Sequence, residues 1–283
     1  MDAQVEARQR EFAFSEADFQ FIREMVREHI GIKIPPAKKD MVYSRLVRRL
    51  RQLKLESFDS YCQLLRQSPG EELVEFTNAL TTNLTSFFRE GHHFAYLAES
   101  VIPELMRRNA AQRRLRIWSA GCSTGEEPYS IAMVLRESMP EIDRWDVRVL
   151  ATDLDSNVIE TGKQGIYREE RISALPARRR QRWFLRGRGE RQGLVRVRPE
   201  VRELVHFRQL NLLREWPMRG LFDVIFCRNV VIYFDKPTQS RLFARFAEHM
   251  PEESHLFVGH SESLFKVTDK FRLLGNTVYR RVG

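Results

Sequence analysis

Apolar residues recur at helical spacing through the first part of this 283-residue chain and at strand spacing afterwards. Phe19, Ile22, Met25 and Val26 fall three or four positions apart and predict a helix. Ser15 with Asp18 resembles a capping box, Phe14 is placed to staple the first turn, and Gly31 ends the helix. Pro35-Pro36 breaks the pattern. Val42, Leu46, Val47 and Leu50 then form the apolar stripe of a second helix near 38–53. Arg45, Arg48 and Arg49 share another face of it, and Arg51 lies one helical turn from Arg48. Further helices are expected after Ser57 and Pro69. Residues 12–109 read as almost all helix.

From Leu115 the pattern changes to strands alternating with helices. Arg148–Asp153, Leu204–Leu210, Phe222–Cys227 and His255–Gly259 read as strands, with a helix around 239–250 before the last. Asn276–Arg281 reads as an edge strand. Residues 162–202 interrupt the alternation, and within them 183–198 reads as two strands around a Gly-rich turn. The expected fold is therefore α/β: a Rossmann-like sheet domain, an all-helical N-terminal domain and a small inserted antiparallel β subdomain. The expected boundaries are 1–80 for the helical domain, 81–110 for a linker and helix contributing to a cofactor site, 111–283 for the sheet domain and 163–203 for the insertion.

Charge refines this picture. The chain carries a formal +9, and between Lys163 and Arg208 there are 14 Lys/Arg against 5 Asp/Glu, so this stretch holds the whole excess. A second basic stretch, Lys38–Lys54, is cancelled by its flanks. Such surfaces attract phosphates or acidic polypeptides. No apolar run is long enough for a transmembrane helix. The three cysteines, Cys62, Cys122 and Cys227, include no C-x-x-C pair. That argues against a disulfide framework or a zinc site and for the cytoplasm.

The most informative segment is 115–130: a buried strand, a loop with Gly121 and Gly125, then a helix start. It is not G-x-G-x-x-G, and Glu126 and Glu127 stand where a pyrophosphate would sit. These carboxylates suit a helix N-terminus but repel a second anion. A ligand with an ammonium group and an adenosine fits better, which points to S-adenosylmethionine. Asp153 ends a strand where an acid commonly accepts ribose hydroxyls. Its alternative role is to cap the helix after Asp155. Residues 81–90 crowd Asn83, Thr85 and Arg89 around two phenylalanines. The plainer reading there is an ordinary helix start capped by Thr85 or Ser86. Asn229 and Tyr233 follow a central strand and face the ligand crevice, unless Tyr233 is a half-buried aromatic with its hydroxyl satisfied locally. Asn211 reads an adenine edge or begins a turn. The histidines, His92-His93 included, show no metal-ligand spacing, and no metal is expected. Cys122 and Cys227 are expected to line the site.

Several long segments together resemble the CheR family of chemotaxis receptor methyltransferases. They are 39–50, 79–90, Trp118-Ser119-Ala120, 123–130, 226–230, 232–235 and Gly259-His260-Ser261-Glu262. The loop departs from the family pattern at Gly121-Cys122, where Ala would be usual, but both residues are small. The resemblance implies methyl transfer from S-adenosylmethionine to glutamate side chains on the cytoplasmic helices of chemoreceptors. It implies a cofactor site of Asn83, Thr85, Arg89, Glu127, Asp153, Asn211, Leu212, Arg228 and Asn229, with Arg89 and Tyr233 closest to the methyl group. It implies that Arg45 and Arg51 meet the receptor. It also implies that the hairpin with Gly187 and Gly189 docks an aromatic-acidic pentapeptide tail, as in some members.

A glutamate acceptor has an ordinary pKa of about 4.3 and needs no general base near neutral pH. This agrees with the lack of an obvious His/Asp pair. A nucleic-acid methyltransferase is disfavoured because Asn229–Tyr233 lacks a compact Asn-Pro-Pro-aromatic form. A non-catalytic adaptor is disfavoured by Arg89, Asp153, Asn211 and Tyr233 occurring together.

Overall fold

A computed structural model describes residues 10–67 and 70–283. The chain divides into two compact units, Met1–Thr81 and Thr82–Gly283.

The first unit is helical. Helix α1 spans Glu16–Ile30, and its capping box forms as predicted, with Ser15 and Asp18 satisfying each other's backbone N–H. The Phe14 ring meets Phe19 at 5.9 Å, which is the expected staple. Gly31 closes the helix in the left-handed conformation at φ 76°. Helix α2 (Lys39–Leu53) buries Val42, Leu46, Val47 and Leu50, the predicted stripe. Helices α3 (Phe58–Gln67) and α4 (Gly70–Leu80) follow Ser57 and the Pro69 region, Pro69 itself lying outside the described residues. Buried Glu72 of α4 ties the helices together, accepting from Arg49 of α2 and from the Tyr61 hydroxyl of α3 at 2.6 Å.

The second unit opens with a loop over 82–90, then α5 (Gly91–Tyr96), a π-helical turn (Leu97–Val101) and α6 (Ile102–Arg108). In order along the chain come β1 (Arg114–Ala120), α7 (Glu126–Ser138), β2 (Asp146–Asp153), α8 (Ser156–Gln164), β3 (Ile166–Arg168), α9 (Ala177–Trp183), β4 (Phe184–Arg186), β5 (Leu194–Val197), α10 (Pro199–Arg202), β6 (Val205–Gln209), β7 (Val224–Cys227), α11 (Lys236–Glu248), β8 (His255–Val258), β9 (Phe271–Gly275) and β10 (Val278–Arg281).

Seven strands form one sheet in the order β6-β2-β1-β7-β8-β10-β9. The first five are parallel, and β10 pairs antiparallel with β8 and β9. The strand predicted at the edge is thus internal, and β9, absent from the sequence reading, takes the edge. Strand β9 is short, Phe271-Arg272-Leu273-Leu274-Gly275, and its two leucines are adjacent and exposed, so it shows no alternation that marks a strand. Buried residues of β1, β2, β6 and α7 pack one face, and Trp118, Phe222, Phe243 and Phe246 build a core on the other. The insertion is a three-stranded antiparallel sheet, β3-β5-β4. The sequence reading anticipated β4 and β5 but not the three-residue β3.

Candidate functional site

The crevice lies where β1, β2 and β7 end. After Ala120 the chain turns through Gly121–Gly125 into α7, and the N–H groups of Gly121 and Cys122 both donate to Thr152 O at 2.8 and 2.9 Å. Gly121 sits at φ 92°, and a Cβ there would come within 2.3 Å of Val230 Cγ2. Only glycine allows this loop to meet the loop after β7.

Asp153 ends β2. Its Oδ2 accepts from Ser123 N at 2.8 Å and its Oδ1 from Asp155 N at 3.1 Å. The helix cap is Asp155 instead, which accepts from Asn157 N at 2.9 Å. Three backbone N–H groups, of Ser123, Asp155 and Leu154, act on the carboxylate, which leaves it acceptor capacity for an outside donor. Burial pushes this carboxyl's pKa up, while the N–H bonds from Asp155 and Ser123 oppose the rise. Asn83 joins the same network. Its Nδ2 donates to Asp155 Oδ2 at 2.7 Å and its carbonyl accepts from Ser123 Oγ at 2.8 Å.

A second network runs through Arg228 at the end of β7. This buried guanidinium donates to Glu127 Oε2 at 3.1 Å and to Arg89 O, and it lies 3.2 Å from Glu90 Oε2. Ser119 Oγ donates to the other oxygen of Glu127 at 2.8 Å. Burial raises the Glu127 pKa against the opposing pull of Arg228 and Ser119. Glu90 is also raised by burial, but His260 and Arg228 outweigh that and bring it down to about 2.

The loop bearing Arg89 is not a capped helix start. Phe88 and Glu90 both have positive φ, at 54° and 55°, and α5 begins only at Gly91 with no side-chain cap. Two left-handed residues so close together cannot continue a helix. Arg89 Nη1 donates to Leu84 O at 2.9 Å, and Phe88 N donates to Ser130 Oγ of α7 at 3.0 Å.

The loop after β7 is organised by Glu262, to which the sequence reading gave no role. Its buried carboxylate accepts five backbone N–H groups, from Asn229, Val230, Val231, Ile232 and Gly259. Gln239 Nε2 of α11 donates to Val231 O and Phe234 O at 2.8 and 3.0 Å. Asn229 adopts φ 60°, and a Cβ on Gly259 would lie 2.4 Å from Asn229 Nδ2. The residues Gly259-His260-Ser261-Glu262 were visible as a segment, but nothing local shows that the acid reaches back 33 positions to Asn229.

Tyr233 closes the short turn Val231–Tyr233 and is half-buried. Its hydroxyl has no partner among the described residues, so the locally satisfied reading does not hold. Asn211 Oδ1 accepts from Leu213 N at 2.9 Å, so the residue does begin a turn, while Leu212 is buried in the core with Trp118 and Phe246. The Thr85 carbonyl accepts from Arg171 Nη2 at 2.9 Å. Cys122 and Cys227 are buried in the hydrophobic cores on the two faces of the sheet, with their thiols pushed well up by burial.

One expectation is corrected. Glu126 does not face a ligand beside Glu127. It is fully buried and pairs with Arg171 of the insertion and with Thr124 Oγ1. Adjacent residues on a helix point in different directions, so two consecutive acids do not share one partner.

The remaining predicted residues lie elsewhere. Arg45 and Arg51 of α2 take different partners. Arg45 Nη1 donates to Leu80 O and Thr81 O, covering the last carbonyls of α4, and Arg51 pairs with Glu11. Gly187 and Gly189 lie between β4 and β5. A Cβ on Gly187 would meet Arg191 O at 2.0 Å, so that turn requires glycine.

The structure brings Glu90 to His92 and His93, with one ligand atom from each within 4.8 Å of the others. Spacing in the sequence did not suggest this grouping. Glu90 already accepts from His260, and the Arg228 cation stands beside it. Burial and Arg228 push the His93 pKa down to about 4.

Comparisons with known proteins assign both parts of the chain to one family. Residues 17–81 match the CheR methyltransferase all-alpha domain, and residues 83–280 match the CheR methyltransferase SAM binding domain. The chain is 48% identical to chemotaxis protein methyltransferase 2 of Pseudomonas aeruginosa over 271 residues, covering 95% of each chain. It is 46% identical to the chemotaxis protein methyltransferase of Escherichia coli over 270 residues, covering 94% of this chain and 91% of that one. The polar networks at the strand ends thus belong to a domain that binds S-adenosylmethionine, and the chain is a member of the CheR methyltransferase family.

Proposed function

We propose that this chain transfers methyl groups from S-adenosylmethionine to glutamate carboxylates on the cytoplasmic helices of chemoreceptors. The observation that carries this reading is the crevice itself. It sets Asp153, Glu127, Arg228 and the loops of Arg89 and Tyr233 around the ends of β1, β2 and β7. The names of the relatives, chemotaxis protein methyltransferases, support the receptor as substrate class.

The residues present fit the cofactor. Asp153 keeps lone pairs for a ribose diol, and Asn211 and Leu212 are assigned to the adenine. Glu127 is an anion for a methionine ammonium, with Asn83, Thr85 and Asn229 completing the wall. When bound, S-adenosylmethionine supplies an electrophilic methyl group. The acceptor glutamate is already ionised near pH 7, so the chain has no proton to remove. Its task is to orient the carboxylate and strip water from it, an effect worth as much as ~7–11 kcal/mol in well-oriented systems. Arg89 and Tyr233 do this by positioning. Arg228 stays with Glu127 and Glu90 and leaves the acceptor un-neutralised.

Arg45 and Arg51 of α2 are assigned to the acidic receptor surface, each exchanging a partner within its own unit for receptor carboxylates. The β4–β5 hairpin, shaped by Gly187 and Gly189, is assigned to a receptor's aromatic-acidic tail.

The test is radiolabelled methyl transfer to a panel of receptor cytoplasmic fragments, with and without their tails. Label recovered as glutamate methyl ester supports the reading, and faster labelling of tailed fragments supports the tether. Failure to label any fragment while the chain binds S-adenosylhomocysteine would overturn the substrate.

A further inference from the structure

Part of the main sheet is left open on one face. Strand β2 alternates exposed and buried residues from Asp146 to Val149, the signature of a strand with one solvated side. Parallel strands of this fold are ordinarily covered on both. The cause is the link between β6 and β7, residues 210–223, which contains no helix. The register sets Arg116 of β1 beside Arg148 of β2, and Leu150 beside His206 of β6. With Arg208 and Phe222 these residues line a cavity of about 280 Å³.

The charge there is unbalanced. Asp146 pairs with both Arg116 and Arg148, so the three arginines exceed the acid by two charges. Arg208 donates to its neighbour's carbonyl, Phe207 O, through Nη1. His206 adds no charge near pH 7. Burial lowers its pKa, as do Arg148, Arg208 and Arg116, with Asp146 opposing.

We propose that this cavity binds a small organic phosphate, its phosphate on Arg148, Arg208 and Arg116 and its apolar part against Leu150 and Phe222. A phosphate monoester carries about −1.5 to −2 at pH 7, which matches the excess. Arginine forks suit its oxygens. The volume, just below the roughly 300–1,000 Å³ range of small-molecule pockets, is of a size for a sugar phosphate or mononucleotide. Arg116 and Arg148 lie well before the β1 and β2 ends that carry Gly121 and Asp153, and of the three arginines Arg208 comes nearest those ends, in register with Thr152.

The test uses the full chain saturated with S-adenosylhomocysteine, so that the crevice is filled. Calorimetric titrations with ribose 5-phosphate, guanosine 5′-monophosphate, inorganic phosphate and an oligoglutamate peptide are compared. An organic phosphate should bind more tightly than inorganic phosphate or the peptide. The Arg148→Ala/Arg208→Ala variant should weaken it by at least ~10-fold, with S-adenosylhomocysteine affinity and melting temperature unchanged. Bound phosphate should also raise the His206 pKa, read by its imidazole proton shifts. Absence of binding by both organic phosphates, binding indifferent to the double variant, or equal binding of the peptide would overturn the proposal.

Discussion

Replacing Glu262 by glutamine tests whether one buried carboxylate holds the loop of Asn229 and Tyr233. Oε1 accepts from Val230, Val231 and Ile232, and Oε2 from Asn229 and Gly259. An amide offers only one acceptor oxygen. If that oxygen takes the Val230–Ile232 side, the new NH₂ group faces the N–H groups of Asn229 and Gly259. Two buried donors then lose their partner, at about 1–3 kcal/mol each, so the expected destabilisation is about 2–6 kcal/mol. The cost falls on the loop that places Asn229 and Tyr233, so cofactor affinity and methyl transfer should drop as well. Urea unfolding monitored by tryptophan fluorescence gives the stability, and calorimetry with S-adenosylhomocysteine gives the affinity. Glu262→Asp is a useful companion, because a shorter acid keeps the charge but cannot span both sets of donors, and it should fall between wild type and Glu262→Gln. A Glu262→Gln protein with the wild-type urea midpoint and unchanged affinity would refute the reasoning.

Three other outcomes are expected. Asp153→Ala should raise the dissociation constant for S-adenosylhomocysteine on the order of 10–100-fold; unchanged affinity in calorimetry would remove Asp153 from the ribose site. Tyr233→Phe should lower turnover while leaving cofactor affinity near wild type, since its hydroxyl has no partner among the described residues; full turnover in a methyl-transfer assay would end the proposed role. His255 is buried, and burial with Arg280 and Arg108 pushes its pKa from 6.5 to about 4. The unfolded chain therefore takes up a proton across this window that the fold refuses, so stability falls as pH drops from 6.5 to 4, by up to about 3 kcal/mol. His255→Gln should flatten that part of the stability–pH curve, and an unaltered slope would contradict the assignment.

Much of this was legible before any coordinates. The α1 cap, staple and glycine stop involve residues within a few positions of one another, so they could be read directly from Phe14, Ser15, Asp18 and Gly31. The apolar stripe of α2 followed from periodicity in the same way. The central strands β7 and β8 were recognisable from their apolar runs, and β2 and β6 from apolar residues alternating with polar ones. Gly121 and Asp153 were located by their places at strand ends. The edge strand β9 and the short β3 lacked such patterns and were missed. The loop over 82–90 was ambiguous because the left-handed backbone of Phe88 and Glu90 has no signature in those side chains.

By itself, then, the sequence determined the two textures of the chain, the helix caps, the glycine turn and the residues that end the central strands. These depend on short-range sterics, hydrogen bonds and burial patterns. Only the tertiary structure decided the partners. Arg228 joins Glu127 and Glu90, Arg171 removes Glu126 from the crevice, Arg45 turns to the end of α4, and Glu262 gathers the backbone of Asn229–Ile232. Each of these groups seeks an opposite charge or a hydrogen-bond partner, and many candidates in the chain would serve equally well. Which one lies within about 3 Å is set by strand order and by the packing of loops distant in sequence.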